Sequence, residues 1–272
     1  MPVIRGRISA RTQAAAALAL LLPLAGCADP SPLPPRPSDL VGRAADRAGR
    51  LGAADGTQTT VMNGATTTWR TTYSWGEGYA TDATTDADAL GMGRLTKQRD
   101  IRCLLVDGVY YYDVDPQPSG PLRGKEWMKV DSSAVYGDEG ARVLRGDSPA
   151  HNPAYLLDRL RATGSVTKED DGEKGLTHYK GALKPEDLGD LRALYFPKKP
   201  NAFSPATGYA AIVLVDTWIG SDGLPARITE HIGGLTIDMN FRRFHATAGI
   251  TAPPPDRVGD MTAQYKKAYG TQ

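Results

Sequence analysis

The chain has 272 residues, 40% of them hydrophobic and 23% charged, and its 32 Lys and Arg against 31 Asp and Glu leave a net charge of +1. A balance this close to neutrality supplies no strong basic field for nucleic acid. No internal repeat is visible, and the length, less a leader, suits one β-rich domain of about 245 residues.

Arg5, Arg7 and Arg11 precede an apolar run over residues 14–24. About 11 apolar residues are too few for a bilayer core that needs roughly 20, so the run reads as a secretory signal and not as a membrane span. It ends in Leu24-Ala25-Gly26-Cys27, which resembles the lipobox of bacterial lipoproteins. The resemblance implies that Cys27 becomes the lipidated first residue of the mature chain, anchored to the extracytoplasmic face of the cell membrane. The leader contains no Arg-Arg pair for twin-arginine export. Removing residues 1–26 takes away three Arg and no acid, so the balance becomes 29 − 31 = −2. No strongly basic field then remains to attract nucleic acid or an anionic membrane surface. With Cys27 acylated, Cys103 has no disulfide partner and is expected to be a buried, inert thiol.

Residues 28–37 are too rich in proline for helix or sheet and read as a tether. Ser38 is the expected cap of a helix reaching about Leu51, with Leu40, Val41, Ala44, Ala45, Ala48 and Leu51 on one stripe. Residues 57–75 are Thr-rich, with Val61, Trp69, Tyr73 and Trp75 marking strand, and Gly76-Glu77-Gly78 ends the run. Residues 81–89 carry Asp82, Asp86 and Asp88 but lack the Gly and closing Glu of a calcium loop, so a solvated loop or edge strand is expected. Asp107-Gly108 is a two-residue hairpin signal that sets Val106 against Val109, Leu105 against Tyr110, Cys103 against Tyr112 and Ile101 against Val114, with Arg102 opposite Asp113. Trp127-Met128-Lys129-Val130 reads as one more short strand. Arg145-Gly146-Asp147 matches an adhesion tripeptide, a match that arises by chance and carries no weight. Asn152-Pro153 opens a helix to about Ala162 that Gly164 ends. Residues 165–168 and 176–180 form a hairpin across the acidic turn at 169–173. A short helix follows over 184–194, opened by Pro185, and then a loop or flap over 197–205.

Residues 211–244 form the most legible stretch. Asp222-Gly223 and Gly233-Gly234 both suit tight hairpin turns, and their two registers agree. Ile219 falls opposite Ala226, Thr217 opposite Ile228 and Val215 opposite Glu230, while Ile228 falls opposite Met239 and Glu230 opposite Ile237. One face of three strands is then apolar: Val213, Val215, Ile219, Ile228, Ile232, Leu235, Ile237, Met239 and Phe241, with Glu230 the single misfit. The other face, with Asp216, Trp218, Arg227, Thr229, His231, Thr236, Asp238, Asn240 and Arg242, is expected to meet water. After Pro253-Pro254-Pro255, Asp256 is the expected cap of a last helix to about Tyr269. Many strands with two or three helices imply an α+β fold, a curved antiparallel sheet wrapped around its helices.

Catalytic signatures are absent: the chain has no Gly-x-Ser-x-Gly elbow, no His-Glu-x-x-His, no metal-binding Cys pair and no phosphate-cradling Gly loop. His151, His178, His231 and His245 lie far apart and read as surface or capping groups. No enzymatic activity, cofactor or metal is expected, nor any partner nucleic acid, and the protein is expected to be a monomer. A lipoprotein hydrolase remains as a third reading that only a clustered Ser, His and acid would revive. Glu230 is either at a solvated strand edge or at the mouth of a cavity, because a lone buried charge is costly.

Residues 175–181 (Gly-Leu-Thr-His-Tyr-Lys-Gly), 215–227 (Val-Asp-Thr-Trp-Ile-Gly-Ser-Asp-Gly-Leu-Pro-Ala-Arg) and the strand at 235–244 resemble the actinobacterial LppX/LprAFG lipoproteins, relatives of the lipoprotein carrier LolA. The resemblance spans most of residues 38–256. It departs at Gly220, where the family commonly has an acid, and in the Thr-rich strands between Thr57 and Thr96. It implies a half-barrel with an apolar cavity between sheet and helices that binds and carries or presents a hydrophobic or acylated ligand. Ile101, Cys103, Leu105, Tyr110 and Tyr112 would then form one wall, and the apolar face of the 211–244 meander with Glu230 the other. The alternatives are that these side chains pack dry, and that the domain is an envelope regulatory module gripping a protein partner, as some LolA-like domains are.

Overall fold

Two sequence-local meanders are zipped into one sheet by a single long-range seam. The first runs through β1 (Ala53–Met62), β2 (Ala65–Ser74), β3 (Ala80–Asp86), β4 (Asp100–Val106), β5 (Val109–Asp113) and β6 (Trp127–Asp131), and the second through β7 (Val166–Glu169), β8 (Leu176–Leu183), β9 (Val213–Gly220), β10 (Pro225–Ile232) and β11 (Leu235–His245). β1 pairs antiparallel with β11 across ten residue pairs, from Ala53 opposite His245 to Met62 opposite Leu235. With β12 (Val258–Asp260), the order is β12-β6-β5-β4-β3-β2-β1-β11-β10-β9-β8-β7, antiparallel throughout except that β12 runs parallel to β6. The sheet is curved and unclosed, an α+β half-barrel. This computed structural model describes residues 34–171, 173–208 and 210–269, with residue 269 by its backbone only. The leader, Cys27, most of the tether and Gly172 of the acidic turn lie outside the described residues.

Local chemistry explains the tight turns. Asn63 and Gly64 have φ of 50° and 87°, and Asp107 and Gly108 have 47° and 73°. Both pairs have the positive φ that two-residue hairpins need. Cys103 faces Tyr112, Leu105 faces Tyr110 and Val106 faces Val109, as expected. In the second meander Thr217 faces Ile228, Val215 faces Glu230, Ile228 faces Met239 and Glu230 faces Ile237, again as expected.

Helices α1 (Pro37–Gly49), α2 (Ser133–Val143), α3 (Tyr155–Thr163), α4 (Arg192–Tyr195), α5 (Ser204–Thr207) and α6 (Thr262–Tyr269) complete the layer. α1 and α3 pack on each other and on the aliphatic inner face of the second meander, burying Val41, Ala44, Ala48, Leu156, Leu157 and Leu160 against Val213, Val215, Ile228 and Ile232. A second core joins Ile101, Val114, Met128, Val130 and Ala134, with Met261 and Tyr265 against it. All of this lies in one compact unit, Pro35–Gln272.

Several expectations are corrected. α1 starts with Pro37 at its first turn and Arg36 at the cap position, while Ser38 is buried and caps nothing. The Thr-rich stretch is a hairpin, β1 and β2, turned at Asn63-Gly64. The stretch taken for a loop or edge holds β3, an interior strand paired along seven residues with β4. Its inward positions are small (Ala83) or Thr, so the apolar alternation that marks a strand is faint. Arg102 pairs with Asp82 on β3 and not with Asp113, since the β4–β5 ladder ends before that pair. Ile101 and Val114 are likewise unpaired but share the second core. α2 follows the β6 strand where no helix was expected. Residues 185–191 form a 3-10 turn broken at Gly189 (φ 56°) before α4 begins. Asp256 lies in a 3-10 turn before β12, and α6 is instead capped by Asp260, whose Oδ1 accepts from Thr262 N at 2.8 Å. On β9–β10 a bulge sets Pro225 opposite Ile219 in place of Ala226. Pro225 has no N–H to give the ladder, and a bulge absorbs that loss.

The outer face is not uniformly wet. Asp216 and Thr229 are buried there beneath Trp218, whose ring stacks on His178 (centroids 4.2 Å apart) and carries the Arg227 guanidinium 4.6 Å from its centroid.

One close approach can be tested directly. A Cβ on Gly181 would stand 2.5 Å from Leu160 Cδ2 and 2.7 Å from the Ser165 carbonyl oxygen. Gly181→Ala should therefore push α3 off β8 and destabilise by about 1–3 kcal/mol, read as a lowered urea midpoint with unchanged slope.

Candidate functional site

Alternation along β10 points Ile228, Glu230 and Ile232 into the half-barrel, and all three are buried, Glu230 at 4% exposure. Glu230 is therefore not at a solvated strand edge. It lies at the floor of a cleft of about 140 Å³ between the sheet and the helical layer. The floor is built across the seam, from Gln58 and Tyr73 on the first meander and Glu230, Ile237 and Met239 on the second. The roof is Val143 and Leu144 at the end of α2, His151, Tyr155 and Leu156 at the start of α3, and Leu191, Leu194 and Tyr195 around α4.

The polar groups at this floor are arranged in pairs. Tyr195 Oη donates to Glu230 Oε2 at 2.8 Å, the one hydrogen bond that reaches this carboxyl among the described residues. Burial raises the Glu230 pKa to about 7, and the Tyr195 hydroxyl acts weakly in the other direction. The same burial pushes the Tyr195 hydroxyl well above its ordinary value, so the phenol stays protonated and remains the donor. Tyr73 Oη donates to Gln58 Oε1 at 2.9 Å. His151 lies 2.6 Å by Nε2 from the Val143 carbonyl oxygen and stacks on Tyr79 with centroids 4.5 Å apart. Burial lowers its pKa, so the imidazole is neutral and Nε2–H is the donor.

Of the side chains expected to face a ligand, Glu230, Ile237 and Met239 line the cleft. Val213, Val215, Ile219, Ile228, Ile232, Leu235 and Leu105 sit in the core with α1 and α3. Phe241 is half-buried against Tyr73 and Phe244. Ile101 and Tyr112 belong to the second core and Tyr110 packs on both. Cys103 is buried and its thiol is pushed up by burial, in keeping with an inert role. The ring series Tyr112, Tyr110, Tyr136, Phe203, Tyr195 runs with centroids 6.2, 6.5, 5.2 and 6.1 Å apart and fills the space beside that wall. Cys27 lies outside the described residues.

Sequence reasoning missed Gln58, Tyr73, Tyr79, His151, Leu194 and Tyr195. Tyr73 and Gln58 were within reach of the Asn63-Gly64 turn signal, which sets the inward positions of both strands. Tyr195 was not, because its place depends on the break at Gly189. Of the histidines, His231 is exposed and His151 caps the Val143 carbonyl at the end of α2, both as expected, while His178 is buried against expectation and His245 bonds Asp55 at 3.3 Å. No group of three or more His, Cys, Asp or Glu that could hold a metal occurs among the described residues, and no described helix is long and apolar enough to cross a membrane.

No family model matches the chain, and no curated protein matches it in sequence. Solved structures do match it over most of its length. LprF from Mycobacterium bovis is 10% identical, with a TM-score of 0.46 over 80% of this chain and 96% of that one. The lipoprotein LppX from Mycobacterium tuberculosis is 12% identical, with a TM-score of 0.47 over 79% and 97%. A LolA superfamily protein from Nitrosomonas europaea is 8% identical, with a TM-score of 0.27 over 82% and 97%. The chain is similar to these proteins over most of its length, and at these identities nothing about a ligand is carried over from them.

Proposed function

We propose that the protein is a lipid-anchored, extracytoplasmic lipoprotein that binds a hydrophobic or acylated ligand, a lipid or a lipoprotein, between its sheet and helices and carries or presents it. The reading makes it a monomer that catalyses no reaction and uses no cofactor. The observation that carries it is the cleft itself: a space that the helical layer leaves unfilled, lined by Leu156, Leu191, Leu194, Ile237 and Met239 beside the polar groups of Gln58, Tyr195 and Glu230. Burial of apolar area supplies about 25 cal/mol per Å², enough for binding without chemistry.

At about 140 Å³ the cleft is close to the size of a cavity of roughly 150 Å³ that takes up benzene. It accepts the end of an acyl chain. The Glu230–Tyr195 pair is then the polar stop at the inner end. Protonated, the pair is neutral and suits an apolar chain; ionised, it disfavours one.

Three outcomes test this reading. Protein purified natively and then extracted should release lipid visible by mass spectrometry, and a chain with Leu194→Trp, which fills the cleft, should release little; lipid-free parent protein would remove the carrier role. Cys27→Ala should shift the protein from the membrane fraction to the soluble one. For pH, a carboxyl whose folded pKa is raised holds its proton more tightly folded than unfolded. The stability it contributes is complete below about pH 4.5 and is lost as pH rises through about 7. Glu230→Gln should abolish that loss and stabilise the protein at pH 8 by on the order of 3 kcal/mol relative to the parent, measured by denaturant titration across the range.

A further inference from the structure

Apart from the cleft, α1 and its C-cap residue carry a cluster that nothing above explains. Arg43, Arg47 and Arg50 recur at spacings of four and three residues, all exposed, and line an open groove of about 500 Å³ beside the β9–β10 turn. The groove has an apolar floor that includes Leu40, Tyr179 and Ile219. None of the three guanidiniums makes an ion pair or side-chain hydrogen bond among the described residues. The carboxylates near them are engaged elsewhere: Asp39 with Arg36 at 3.1 Å, and Asp46, itself on the groove, with Arg161 at 2.7 Å. Asp222 in the adjoining turn accepts from Leu224 N at 3.0 Å. Like charges one helical turn apart repel. In a chain whose net charge after residue 26 is −2, three cations on one stripe with no carboxylate in hydrogen-bond contact leave room for an anion from outside.

We propose that this groove binds the phosphate headgroup of an anionic phospholipid and docks α1 on the bilayer surface. Charge complementarity names the ligand, and the concave apolar floor suits the glycerol end of a lipid next to its phosphate. The place of α1 in the chain supports the same ligand, and this part rests on the anchoring read above. Pro37, its first residue, is ten residues beyond Cys27, and ten extended residues span at most roughly 33–36 Å. A domain anchored at Cys27 thus keeps α1 within reach of the headgroups, while a field screened over about 8 Å acts only when the groove touches them. The net charge conceals this site, since it depends on where three arginines stand and not on the sum.

The test uses the chain from Ala28, which lacks the leader and the anchor but contains every described strand and helix, with phosphatidylcholine vesicles that contain or lack phosphatidylglycerol. Sedimentation should show binding only with phosphatidylglycerol, weakening as salt rises. Replacing Arg43, Arg47 and Arg50 together by Ala should lower the partition coefficient on the order of a hundredfold, about fivefold for each arginine, with an unchanged melting curve. The same loss of charge at Arg123, Lys199 and Lys267, which lie outside the groove, should leave binding as it was. Equal loss from both triple variants, or none from the first, overturns the proposal, as does equal binding to pure phosphatidylcholine. Inorganic phosphate should displace the chain no better than chloride at equal ionic strength; selective displacement assigns the groove to free phosphate instead. Because this chain has no Cys27, failure here speaks against the groove alone, and the extraction and membrane-fraction experiments speak separately to carriage and anchoring.

Discussion

The seam between β1 and β11 is the constraint on which the rest depends. Each meander forms from neighbours in sequence, but the two become one sheet only where residues 53–62 meet residues 235–245. Closing so long a loop costs chain entropy before any contact repays it, so the seam must be secured at its ends. At one end Asp55 accepts from Thr72 at 2.8 Å and Arg243 at 2.6 Å, with His245 at 3.3 Å. Beside it a bulge between Asp55 and Gly56 lets the ladder continue. Gly56 is required there because a Cβ would stand 2.3 Å from the Asn240 carbonyl oxygen.

The seam also decides where the cleft lies. On one side the inner face is aliphatic and α1 and α3 cover it closely. On the other, β1 to β3 turn Gln58, Thr71 and Thr85 inward, and such a wall attracts no aliphatic helix. The helical layer therefore fits tightly over the second meander and loosely at the junction, where Gln58 stands opposite Met239. Glu230 and Tyr195 meet at that junction. A carboxyl with a single hydrogen bond is tolerated there because it can hold its proton near neutral pH, so the wall need not carry a buried charge.

α1 links the two proposed contacts. Its buried face, Val41, Ala44, Ala45 and Ala48, seals the core beside the cleft, while the edge carrying Arg43, Arg47 and Arg50 opens to solvent. A helix of small residues on its inner side lies close to the sheet, which is why the turn after β9 can form the opposite edge of the groove. Membrane contact and ligand retention would then act through the two sides of one helix.

The sequence by itself determined what rests on local chemistry: the hairpins at Asp107-Gly108 and in the 211–244 meander, the register that turns Glu230 inward, the helix ended by Gly164, and the greasy side that needs a cover. These follow from period-two alternation and from turn residues that tolerate positive φ, both properties of a few adjacent residues. The Asn63-Gly64 turn is a signal of the same kind, but the Thr repeats around it mask the alternation that marks its strands. Tertiary structure alone decided the seam, the interior place of β3, the parallel addition of β12 and the pairing of Glu230 with Tyr195. Each of those joins segments far apart in the chain, and no local pattern encodes which distant partner supplies the hydrogen bond. The clustering of three arginines over an apolar groove belongs to the same class, since their spacing is written in the chain but the engagement of the nearby carboxylates by Arg36 and Arg161 is settled by packing.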